Sequence, residues 1–179
     1  MKKFLVSLSL VTTIVVAGNT TVDWGYGEKN GPAVWGDLAP EFQVCKTGVN
    51  QTPINLTDFV EADLEPLKIG YTTKSTSVEH KGTTVQVNFA KGSSFSVDGK
   101  AFNLIQYHFH TPSENHINGK SYPMEAHFVH ASDKGELAVL ALMFKEGKAN
   151  QQLQVIVDNM PVKKGDKNSL IETAINRLD

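Results

Sequence analysis

The sequence predicts an α+β fold that is mostly β, with a predominantly antiparallel central sheet and a few short helices. Short runs that alternate apolar and polar residues recur from about Lys68 onward, and a period of two marks a half-buried strand. Turn dipeptides such as Asp98-Gly99 and Asn118-Gly119 separate those runs, as hairpins require. Helical spacing enters only near the C-terminal end, after Asn150. A length of 179 residues suits one domain.

The first residues stand outside this fold. Lys2 and Lys3 precede an apolar run from Phe4 to Val16, and Val15 and Ala17 supply the small residues that precede a cleavage site. Residues 1–17 are therefore expected to be a signal peptide, with 18–179 as the mature domain, exported to the periplasm or secreted. The run is too short for a membrane anchor, so no stable membrane insertion is expected after cleavage. With 17 Lys+Arg against 19 Asp+Glu and a formal net charge of −2, the chain has no basic footprint for nucleic acid.

Residues 23–56 hold Trp24-Gly25-Tyr26-Gly27, Asn30-Gly31-Pro32 and Trp35-Gly36-Asp37 without a sustained period. This reads as an ordered loop layer, since two tryptophans need a core to lie against. Strands are expected over Thr83–Phe89, with Val85, Val87 and Phe89 on one face, and over Ser93–Val97, Phe102–His110 and Met124–His130. Leu137–Phe144 is nearly all apolar, which predicts a central strand covered on both faces. Leu153, Ile156, Val157 and Met160 fall on one helix face that Pro161 ends. Leu170, Ile171, Ala174, Ile175 and Leu178 repeat the spacing, and Ser169 and Glu172 could form a capping box.

All six histidines fall between His80 and His130. On a strand, residues two apart point the same way, so Gln106, His108 and His110 share a face, and Glu125, His127 and Val129 share one on a second strand. Antiparallel pairing brings His127 beside His108 and His110. Three imidazoles with a fourth position left open are the ligand pattern of catalytic Zn²⁺. Gln106 and Glu125 are placed to accept the second ring N–H of a ligand histidine. The alternative is a strand with two solvated histidines and a surface Glu125. His116 and His130 lie off the metal face and read as structural or surface residues.

The stretch Gln106-Tyr107-His108-Phe109-His110-Thr111-Pro112-Ser113-Glu114, followed by Tyr122-Pro123-Met124-Glu125-Ala126-His127-Phe128-Val129-His130, resembles the motif of bacterial α-class carbonic anhydrases. Trp24-Gly25-Tyr26, Gly31-Pro32, Trp35, Cys45 and Asn50-Gln51-Thr52-Pro53-Ile54-Asn55 extend the resemblance upstream. It implies zinc on His108, His110 and His127, with Gln106 and Glu125 as outer partners. It further implies Val129 and Val139 in a CO₂ pocket, Tyr26 in the water network, and Glu114 as the carboxylate that orients a threonine. The implied reaction is reversible hydration of CO₂ to bicarbonate and a proton by a zinc hydroxide held on three histidines.

Two departures accompany the resemblance. Thr83 stands at the position where many members carry a proton-shuttle histidine, and a hydroxyl does not titrate near neutrality. His80 is the substitute candidate. Members of the family also continue past the position of Asp179 with a segment that brings the threonine and the cysteine that should pair with Cys45, the only cysteine here. The chain is thus expected to be truncated at its C-terminus, missing catalytic and sheet residues, and unstable as written. That keeps open a non-catalytic zinc-binding remnant and, more weakly, a zinc hydrolase of esters. Oligomeric state is not legible.

Overall fold

The computed structural model describes residues 22–169. The expected signal peptide and the terminal helix from Leu170 onward lie outside the described residues, and Ser169 of the expected capping box is the last residue described. Those described form two compact units, dividing between Thr47 and Gly48.

The first unit is a loop layer carrying two short helices, α1 (Trp35–Leu38) and α2 (Val44–Thr47). Its aromatic residues meet edge to face: Trp24, Tyr26 and Trp35 pair at ring-centroid separations of 5.7–6.4 Å. The Trp35 indole N–H is shared between the carbonyls of Gly25 (3.0 Å) and Asn30 (2.9 Å), which closes the Gly-rich turn. Cys45 is a free thiol.

Among the described residues the second unit contains ten strands: β1 (Asn55–Leu56), β2 (Lys68–Gly70), β3 (Ser75–His80), β4 (Val85–Phe89), β5 (Ser94–Val97), β6 (Lys100–His110), β7 (His116–Ile117), β8 (Met124–Ala131), β9 (Leu137–Phe144) and β10 (Lys167–Ser169). Every pairing in the main sheet is antiparallel, and the short β1–β7 pair is parallel. β6 is the spine. β8 runs along one of its edges, while β5 covers the first half of the other edge and β4 the second half. The β5–β6 turn is Asp98-Gly99 at φ +48° and +73°, and Asn118-Gly119 turns at +50° and +76°. Positive φ at two successive residues matches the strand twist, which is why Asn/Asp-Gly recurs there.

β6 does not alternate uniformly. Leu104 pairs with His130 and Gln106 with Val129, so Ile105 is an extra residue without a partner on β8. Such a bulge inverts the alternation. Phe102 and Leu104 are buried before it, and Tyr107 is buried after it. The strand's even-numbered residues therefore face the core up to Leu104 and the opposite face from Gln106 on.

The core lies on one side of the sheet, where Val78, Val87, Tyr107, Ala126 and Phe128 are buried. The helix α3 (Gln151–Asn159) packs there through Ile156, with Leu153 and Val155 against the same cluster. Asn150 caps it, its side-chain oxygen accepting from the amides of Gln152 (2.9 Å) and Leu153 (3.1 Å). His130 is fully buried in this core, its Nε2 2.7 Å from the Tyr71 hydroxyl.

One expectation fails. Among the described residues β9 pairs only with β8, and Leu137 and Val139 are exposed. An all-apolar run specifies that a strand can be buried on both faces but says nothing about how many neighbours it has.

Candidate metal centre

The site grows from strand register. Cross-strand partners share a face, and His108 pairs with Gln86 on β4 and with His127 on β8. Glu125 stands opposite His110, and Val129 stands between Gln106 and Val139. One sheet face therefore carries Gln106, His108, His110, Glu125, His127, Val129 and Val139. The core lies on the other.

The three imidazoles converge. His108, His110 and His127 each offer a ring nitrogen within 4.8 Å of the others, and their ring centroids are 4.6–5.4 Å apart. Gln106 Oε1 is 2.9 Å from His108 Nδ1, which leaves Nε2 of that ring facing the cluster. Glu125 Oε1 is 3.0 Å from His127 Nε2, which leaves Nδ1. Glu114 reaches the same cluster, its Oε2 lying 3.2 Å from His110 Nε2 and 3.9 Å from His127 Nδ1.

Electrostatics keep His108 and His110 neutral. Burial, followed by the neighbouring imidazoles, pushes His108 and His110 down to about 4 from the ordinary 6.5. A neutral imidazole is the form that binds a metal. Glu125 is fully buried. Burial alone would raise its pKa, but hydrogen bonds from Asn115, together with the His127 imidazole beside it, outweigh it and hold the carboxyl below its usual value.

Those hydrogen bonds come from a loop residue that pattern reading did not single out. Glu125 Oε2 accepts from the backbone amides of Glu114 (2.8 Å) and Asn115 (3.0 Å), and Oε1 from Asn115 Nδ2 at 2.7 Å. The sequence signal was only its place directly after Glu114.

Other nominated residues lie elsewhere. His80 pairs with Val85 and sits two residues after Val78, on the core face. Its Nδ1 accepts from the Gly82 amide at 2.9 Å. The shuttle assignment for His80 is therefore corrected, because its strand parity directs it away from the three histidines. Thr83 lines a cavity of about 380 Å³ together with Val85, Phe109, Met124 and Ile156. Tyr26 belongs to the first unit.

The donor set fits Zn²⁺: three converging imidazoles, two of them with the second nitrogen beside an oxygen acceptor. The chain is similar to known carbonic anhydrases. A profile of the eukaryotic-type carbonic anhydrases matches residues 30–178. A carbonic anhydrase of Pectobacterium atrosepticum is 41% identical, aligned over 89% of this chain and 65% of its own length. One from Neisseria gonorrhoeae is 43% identical over 83% and 59% respectively. The solved α-carbonic anhydrase of Photobacterium profundum superposes with a TM-score of 0.76 at 46% identity, over 84% of this chain and 68% of that one. The chain thus spans about 59–65% of the length of these two curated relatives. With the profile, the identity and the sheet in agreement, this chain belongs to the eukaryotic-type, or α, carbonic anhydrase family.

Proposed function

We propose that this chain holds Zn²⁺ on His108, His110 and His127 and that the site serves the reversible hydration of CO₂. The observation that carries the reading is the convergence of three imidazoles, two of them backed by Gln106 and Glu125. Bound zinc would supply a Lewis acid that lowers the pKa of a water from ~15.7 to about 7, giving a nucleophile at neutral pH. Gln106 and Glu125 hold the tautomers of His108 and His127. Val129 and Val139 form the adjacent apolar wall of the same face, suited to an uncharged linear substrate. Glu114 stands against the ligand cluster, where a carboxylate can orient a polar neighbour. Proton release through buffer is the reading that fits Thr83 and the position of His80.

Stopped-flow CO₂ hydration on the purified chain, with zinc quantified in the same sample, tests this. Hydration above the buffer rate that is lost in His108→Ala supports it. One zinc per chain with no hydration supports the second reading, a non-catalytic zinc site. That second reading draws on Glu114, whose carboxylate lies against the nitrogens of His110 and His127.

Export is part of the proposal, supported by Lys2, Lys3 and the apolar run that ends at Val15–Ala17. Among the described residues no helix is long and apolar enough to cross a membrane. N-terminal sequencing of secreted or periplasmic material should begin at Gly18, and a retained Met1 would overturn the cleavage.

A further inference from the structure

We infer that Asn115 is a positioning residue for the metal centre, a bracket that fixes the Glu125–His127 pair and ties it to the segment entering β1. This rests on the zinc reading above for its functional meaning, but its structural core does not depend on metal.

Both ends of the Asn115 amide are committed. Its Oδ1 accepts from the Ile54 amide at 2.8 Å, and its Nδ2 donates to Glu125 Oε1 at 2.7 Å. A backbone N–H can only donate and a carboxylate can only accept, so these two partners fix the amide orientation. The backbone amide of Asn115 meanwhile holds Glu125 Oε2 at 3.0 Å. One residue thus grips both carboxylate oxygens, and one of them is also 3.0 Å from His127 Nε2.

The grip matters because Glu125 is fully buried. A buried carboxylate without enough donors would turn toward water. It would then stop fixing which nitrogen of His127 carries hydrogen. Asn115 supplies the side-chain donor that prevents this, and Ile54 keeps that donor aimed. The His116 amide also donates to the Ile54 carbonyl at 3.0 Å, so the loop carrying Asn115 and the strand β1 are held on both sides. The segment around Ile54 is thereby coupled to the orientation of a metal ligand on β8.

Two substitutions separate this role from simple packing. Asn115→Asp keeps the shape and the acceptor for Ile54 but sets a second carboxylate against Glu125. Asn115→Ala removes both contacts without adding charge. In the zinc-free full chain, ¹⁵N NMR of His127 should show a single Nε2–H tautomer for the parent and a mixed population in both variants. Zinc affinity, read by competition with a chelator, should fall about tenfold in Asn115→Ala and further in Asn115→Asp. The visible spectrum of the Co²⁺-loaded chain should shift in both.

A parent that binds no zinc would overturn the zinc reading, yet the tautomer measurement would still decide the inference. Unchanged tautomer and zinc affinity within twofold in a folded variant would overturn the inference alone. Should neither variant fold, the parent decides. Its Asn115 side-chain amide should exchange slowly with solvent, and a rate equal to that of the exposed Asn118 amide would overturn the bracket.

Discussion

The two faces of β6 and β8 do opposite work with residues that adjoin in sequence. On one face Tyr107, Ala126 and Phe128 are buried with α3 laid over them. On the other, His108, His110 and His127 stand with Gln106 and Glu125. The first face removes hydrocarbon from water, which is the dominant favourable term in folding. The second removes polar groups from water, which costs free energy unless each finds a partner. Stability is thus concentrated on one face and chemistry on the other, one peptide bond away. The acceptors behind His108 and His127 and the donors around Glu125 offset that second cost.

Phe128→Ala strikes the stabilising face and should have the largest effect, lowering zinc-free stability by about 3–5 kcal/mol in urea melts. Zinc affinity of the molecules that remain folded should stay within twofold of the parent. A large loss of affinity there would mean that the faces are not separable. Glu125→Gln acts on the polar face. It replaces an acceptor by a donor opposite the N–H groups of Asn115 and Glu114 and should cost about 1–3 kcal/mol. Zinc binding should weaken about 10–100-fold in the same variant.

His108→Ala sharpens the contrast most finely. It should move zinc-free stability at pH 7 by less than about 1 kcal/mol while abolishing stoichiometric zinc. Acid makes the same point. His108 and His110 titrate at about 4 in the folded chain against 6.5 for the ordinary group. Between those values the unfolded chain binds more protons, so stability is fully present above pH 6.5 and is lost as pH falls toward 4. Urea midpoints of the zinc-free chain at pH 7, 5.5 and 4.5 should decline in that order. The decline should be shallower in His108→Ala.

Much of this was legible in the chain. The i, i+2 spacing of Gln106, His108 and His110, and that of Glu125, His127 and Val129, depends only on strand periodicity, and the register of β6 with β8 brought them to one face. Direction was harder to read than membership. His80 lies close in sequence to the cluster, but its strand parity is fixed by pairing with Val85, which no local pattern reveals. β9 failed for a related reason, since apolar composition does not count neighbours. Asn115 was invisible because its partners, Ile54 and Glu125, lie 61 and 10 residues away and meet it only through tertiary folding.

The unpaired Ile105 gives the strand a reading frame. Drawing that residue into the ladder would restore unbroken alternation from Phe102 to His110 and set Phe102 and Leu104 on the same side as the three even-numbered polar residues. One half of the strand would then have to present its wrong face: either the core loses two large side chains or the ligand cluster loses His108 and His110. Deleting Ile105 outright would leave both halves of the strand on their present faces, because Leu104 and Gln106 already pair with the adjacent residues His130 and Val129, and single substitutions of the half-exposed Ile105 should be tolerated.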